Sequence, residues 1–146
     1  MKANGKLAMG RFFVEIEIAN NEDLVRAKSG DIDPAKVRRK TIKGLVDPGA
    51  TRLVLPADVV KELGLPLKKT KTKVRYADGH RATRAEANQV TVLLQGRDGI
   101  FTAIVEPKRE DALIGAIVLE DLDFLVDCSK QRLVPRDPDF VVSEIE

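Results

Sequence analysis

Leu45-Val46-Asp47-Pro48-Gly49-Ala50-Thr51 carries two apolar residues into an aspartate, then into a Pro-Gly pair. Leu45 and Val46 suit a buried strand. Pro48 fixes its own φ and Gly49 is free to take φ > 0, so the spacing predicts a sharp turn with Asp47 at its tip. The N–H of Gly49 is free to donate to an Asp47 oxygen, which favours the charged form and orients it. Asp, Pro and Gly are also the ordinary vocabulary of tight turns, so the motif takes its weight from its surroundings.

Working outward, Ala50 to Leu55 reads as a second apolar strand. Pro56 to Gly64 reads as a short helix, with proline near its first turn and glycine just past its end. The order strand, Asp turn, strand, helix resembles that of the retropepsin-like aspartic proteases, the retroviral proteases and their cellular relatives. Their motif is an apolar pair, Asp-Thr-Gly or Asp-Ser-Gly, Ala or Ser, then an apolar strand. Asp47, Gly49, Ala50 and Thr51 match, and Pro48 departs. A second stretch, Ala112 to Asp127, holds Leu113-Ile114-Gly115 followed by Leu119 and Leu122. It is similar to the family's apolar pair, glycine and short helix, which lie beside the Asp strand. The two motifs and the hairpin between them extend the resemblance over about residues 41 to 135.

The resemblance implies an all-β retropepsin-like fold: a small, partly closed barrel with one or two short helices. It implies a catalytic Asp47 in an active-site turn of Pro48, Gly49, Ala50 and Thr51, with Leu113, Ile114 and Gly115 as the supporting motif. Tyr76-Ala77-Asp78-Gly79 stands where the family places its flap, a hairpin that folds over an extended peptide. The chemistry needs two carboxylates, one ionised to take a proton from water and one protonated to polarise the peptide carbonyl. This chain has one such motif, because Asp123 and Asp127 have no following glycine. The expected active species is therefore a C2 homodimer with two facing Asp47 residues and a polypeptide substrate or peptide ligand. In the family, the Thr or Ser hydroxyl at the position of Pro48 meets the partner's backbone N–H across the dimer axis. Proline has neither group, which leaves a second reading open: a catalytically silent dimer that binds extended peptides or acts as an interaction module.

The remaining residues read mostly as short strands. Arg11 to Ile18 alternates, with Val14, Ile16 and Ile18 on one face. Asn20 to Lys40 reads as a polar connection with at most a helical turn. Lys71 to Tyr76 and Arg81 to Ala87 flank a hairpin signal at Asp78-Gly79, and Val90 to Leu94 and Ile100 to Val105 flank another at Asp98-Gly99. Phe124 to Asp127 pairs with Arg132 to Val134. One domain over residues 1–146 is expected, with its core over 11–135 and a tail over 136–146.

Composition narrows the function classes. The chain has 146 residues, 43% of them hydrophobic, and no apolar run long enough to span a membrane. The first ten residues lack a sustained apolar segment, so no secretory leader is expected, and a single cysteine, Cys128, forms no internal disulfide. Both point to a reducing cytoplasm. Net charge is +2 and aromatics make up 4%. The basic runs Val37 to Lys43 and Lys68 to Arg75 therefore read as solvated strand faces, with no nucleic-acid partner expected. His80 has no second ligand at useful spacing, so neither metal nor cofactor is expected. Cys128 reads as a small, partly buried apolar residue.

Overall fold

In the computed structural model, which describes residues 11–141 and 143–145, alternation of apolar and polar side chains builds the barrel wall. Strand β1 (Phe12–Asn20) turns Phe12, Ile16 and Ile18 inward. It pairs antiparallel with β2 (Arg39–Val46), in register from Phe12 opposite Val46 to Ala19 opposite Arg39. Strand β2 runs into the Asp47 turn, and the chain continues through β3 (Leu53–Pro56) and helix α2 (Ala57–Glu62). A separate hairpin, β4 (Thr72–Arg75) and β5 (Arg81–Arg84), precedes the long strands β6 (Glu86–Leu94) and β7 (Arg97–Glu106). Strand β8 (Ala112–Ile114), helix α3 (Ala116–Asp121) and the pair β9 (Phe124–Asp127) and β10 (Arg132–Pro135) complete the described chain.

The barrel order is β1-β2-β8-β3-β7-β6, and β6 pairs back onto β1, so the barrel closes fully and its strands leave no open edge. Strand β8 lies parallel to β2 and antiparallel to β3, while β3 lies parallel to β7. This arrangement puts the Asp strand and the Leu113-Ile114 strand side by side, Leu45 opposite Leu113 and Val46 opposite Ile114. Gly44 permits the close approach, because a Cβ there would meet Ile114 Cδ1 at 2.7 Å. The interior is aliphatic, with Ile16, Ile18, Val46, Leu53, Leu55 and Ile114 almost fully buried.

Four local features differ from the sequence reading. The connection from Asn20 to Lys40 holds a helix, α1 (Asn21–Lys28), which makes three α-helices among the described residues, and a 3-10 turn at Pro34–Lys36. Its cap explains it: the Asn20 side chain accepts from Asp23 N at 3.1 Å, with Glu22 and Asp23 in the first turn and Arg26 and Lys28 in the last. Asp23 is buried and accepts from Arg38 Nε at 2.8 Å and Nη2 at 3.0 Å, and these bonds hold its carboxyl below the usual range despite burial.

The second hairpin turns at Gln95-Gly96 rather than at Asp98-Gly99. Gln95 and Gly96 both take positive φ, 49° and 81°, as a two-residue hairpin turn requires. Asp98 and Gly99 lie within β7, opposite Leu93 and Val92. Cys128 is exposed, because it sits in the β9–β10 turn, which the Asp127 side chain organises by accepting from Ser129 Oγ and Lys130 N. The start of the tail is anchored. Arg136 binds the buried Asp123, while Arg97 lies over the rings of Phe124 and Phe140 and donates to Asp137 O at 2.8 Å.

Candidate active site

Asp47 is held by backbone on both sides. Its N–H donates to Ile114 O of β8 at 3.0 Å, and its carbonyl accepts from Ala50 N at 3.0 Å, closing a four-residue turn. Its Oδ1 accepts from Gly49 N at 3.0 Å, the bond that the sequence suggests. Gly49, however, does not use the left-handed region; among the described residues the glycines that do are Gly30, Gly64, Gly79 and Gly96. Glycine serves there for space, since a Cβ would lie 3.2 Å from Asp47 Oδ1. Pro48 and Thr51 are exposed at the turn's surface, and Ala50 is half-buried.

The second motif supports the turn from beneath. Ala116 N donates to Ala50 O at 2.7 Å and Ile117 N to Thr51 O at 3.0 Å, so the start of α3 binds the residues that follow Asp47. Gly115 is forced by this contact: a Cβ would meet Arg52 O at 2.4 Å, against backbone that cannot swing away. Leu113, Ile114 and Gly115 are thus placed directly against the Asp47 turn.

The β4–β5 hairpin stands over the same region. Its tip closes through Tyr76 N to His80 O at 2.9 Å and Gly79 N to Tyr76 O at 2.8 Å, with Gly79 at φ +90°. Between hairpin and turn lies a cleft of about 620 Å³. Gly49, Ala50 and Thr51 form one wall, Val74, Tyr76 and Ala77 another, and Val54, Ile104 and Leu113 line it with apolar surface. Asp78 and Gly79 do not line it; they form the exposed hairpin tip, where His80 stacks on Tyr76 at 4.2 Å between ring centroids.

Several residues to which the sequence reading assigns no site role join Tyr76 in completing the geometry. Tyr76 Oη donates to Glu106 Oε2 at 2.7 Å, and Arg84 Nε donates to Glu106 Oε1 at 2.7 Å, tying the hairpin to the end of β7. Burial and the Glu106 hydrogen bond push the Tyr76 hydroxyl above its ordinary pKa. Arg11 Nη1 lies 3.9 Å from Asp47 Oδ2. Arg52, just past the turn, pairs at 2.6 Å with the buried Glu86 of β6. Arg109 Nε donates to Asp111 O at 2.6 Å, and burial pushes its guanidinium below its ordinary pKa against the opposing charges of Asp111, Glu106 and Asp47. No local pattern flags these residues, because barrel closure brings them together. Arg11 meets Asp47 only because Phe12 is in register with Val46. Among the described residues, no three His, Cys, Asp or Glu side chains are grouped as a metal site would need.

A small closed barrel whose second strand delivers one aspartate turn, buttressed by an apolar-apolar-glycine strand and overhung by a hairpin, defines a retropepsin-like chain. The family described as gag-polyprotein putative aspartyl protease matches residues 34–121, which include the Asp47 turn, the β4–β5 hairpin and Leu113-Ile114-Gly115. The chain belongs to that retroviral-type aspartyl protease family. No curated protein matches the sequence.

Proposed function

We propose that this protein is an aspartic endopeptidase of the retropepsin type, acting as a homodimer in which two Asp47 carboxylates face each other across a two-fold axis. The observation that carries the reading is the backbone-fixed Asp47 turn beside a cleft overhung by the Tyr76 hairpin. Two carboxylates about 3 Å apart share one proton, since like charges so close do not both ionise. The ionised one takes a proton from water as the water oxygen attacks the peptide carbonyl. The protonated one donates to the carbonyl oxygen, and collapse of the tetrahedral intermediate breaks the C–N bond as the leaving nitrogen receives a proton. The hairpin supplies extended backbone for pairing with the peptide and shields the reacting water. We place residues 1–146 in one domain, in a reducing compartment that suits its single cysteine.

Pro48 favours a second reading, a dimer that binds peptides without cleaving them. Proline offers neither hydroxyl nor N–H at the axis, so two reciprocal hydrogen bonds worth about 1 kcal/mol each in net terms are absent. Cleavage of an unstructured polypeptide, followed across pH, decides between the readings. The endopeptidase gives a bell-shaped profile indifferent to chelators, and Asp47→Asn abolishes cleavage while the fold, followed by circular dichroism, is retained. A protein that binds the same polypeptide and never cleaves it is the silent dimer.

A further inference from the structure

The cleft beside Asp47 has an unbalanced charge. Four cationic side chains line it, Arg52, Lys73, Arg75 and Arg109, against one carboxylate, Glu106. That carboxylate is already engaged: one oxygen accepts from Tyr76 Oη and the other from Arg84 Nε. Arg52 is matched by Glu86. Among the described residues, Lys73, Arg75 and Arg109 have no carboxylate within 4.0 Å.

Arg109 is the notable member of this set. Lys73 and Arg75 are exposed on β4 and are solvated by water, whereas Arg109 is half-buried on the loop between β7 and β8. Its Nε is fixed by Asp111 O, which orients the guanidinium, while neither Nη has an acceptor among the described residues. A partly desolvated guanidinium with no carboxylate in direct contact is costly, and its free Nη groups suit a planar carboxylate. Burial already disfavours its charged form. A bound anion removes that penalty.

We propose that Arg109 is a specificity residue: its free guanidinium edge receives an acidic side chain, Asp or Glu, of the peptide in the cleft, with Lys73 and Arg75 reinforcing the preference at longer range. The proposal rests on the reading of this cleft as the peptide site. An acidic side chain there finds three cations without an ion-pair partner, whereas a basic one meets their repulsion, opposed only by the more distant carboxylates of Asp111 and Asp47 and the engaged Glu106.

The test uses Asp47→Asn protein, so that binding is read without cleavage, and fluorescent peptides blocked at both ends that differ only by Glu, Gln or Lys at one position, scanned along the peptide. A fourth, neutral peptide keeps a free C-terminal carboxylate. Fluorescence anisotropy is expected to show one position where Glu binds at least about tenfold tighter than Gln, about 1.4 kcal/mol, and where Lys binds weakest. Adding Arg109→Ala should erase the Glu advantage, Arg109→Lys should retain part of it, and Arg109→Glu should move the preference to Lys, a reversal that mere damage to the fold does not produce. Equal binding of Glu and Gln at every position overturns the proposal and leaves the peptide cleft standing. Tight binding of the free-carboxylate peptide alone overturns the side-chain assignment in favour of a chain terminus. Failure of all peptides to bind overturns the peptide cleft itself, and this inference with it.

Discussion

At the scale of single residues, the Asp47 turn shows how two small amino acids set one carboxylate. Pro48 occupies the second position of a turn closed by Ala50 N to Asp47 O, a place where its fixed φ is at home and no N–H is needed by the turn. Gly49 leaves room for Asp47 Oδ1 and donates to it. Gly49→Ala puts a Cβ 3.2 Å from that oxygen. It is expected to fold with a stability change of no more than about 1 kcal/mol in urea denaturation, as the side chain gives by a few tenths of an ångström. On the proposed function, cleavage should nonetheless fall, because the displaced carboxylate is the proposed reacting group. Pro48→Thr returns a hydroxyl and an N–H to the axis of the proposed dimer. Where the surrounding turn still accommodates them, the dimer tightens and cleavage rises; a looser dimer with no gain in cleavage shows that Pro48 is not what limits catalysis.

At the scale of elements, the site is a junction between β2, β8, the start of α3 and the β4–β5 hairpin. Gly115 is its tightest point, because the obstructing atoms are the backbone of Thr51 and Arg52. Gly115→Ala is therefore expected to destabilise by at least about 1–3 kcal/mol, with loss of the α3 bonds to Ala50 and Thr51. Gly79→Ala is the control, since nothing lies within 4 Å of a Cβ there and only its φ of +90° resists. Both are read from urea unfolding midpoints. The hairpin's tie to β7 is sensitive to alkali. The Tyr76 hydroxyl has a raised folded pKa, so its contribution is fully present below the unfolded value, near 10, and is lost as pH rises through the folded value. Protease nicking at the hairpin tip should increase over that window, and Tyr76→Phe should show the increase already at neutral pH.

At the scale of the whole molecule, one chain presents one aspartate turn, so the proposed activity requires assembly. Sedimentation at micromolar concentration is expected to show a dimer whose interface includes the Asp47 turns and the chain termini or α3. A monomer under all conditions removes the catalytic reading, because a single carboxylate does not fill both roles. Fold stability should fall in acid. The folded pKa of Asp23 is lowered by Arg38, so the pair stabilises above the unfolded carboxylate value and that stability is lost as pH falls through the folded value. Asp23→Asn should flatten that limb of the stability profile below about pH 4.

Features whose physics is local were legible from the residues alone. The Asp47 turn, the alternation of β1, the bounds of α2 between Pro56 and Gly64, the Asp78-Gly79 hairpin and the Leu113-Ile114-Gly115 strand follow from turn chemistry and side-chain period, which act over a few residues. Two local signals misled. Asp98-Gly99 is a stronger hairpin dipeptide than Gln95-Gly96, but strand register placed the turn at the latter. The polar composition of Asn20 to Lys40 hid α1, whose stability comes from the Asn20 cap and from Asp23 reaching Arg38 across fifteen residues. Which charges lie near Asp47 and along its cleft was set by the folding of distant segments onto one another. Arg11 reaches Asp47, while Glu106 and Arg109 line the neighbouring cleft, because a closed barrel fixes the register of every strand against its neighbours.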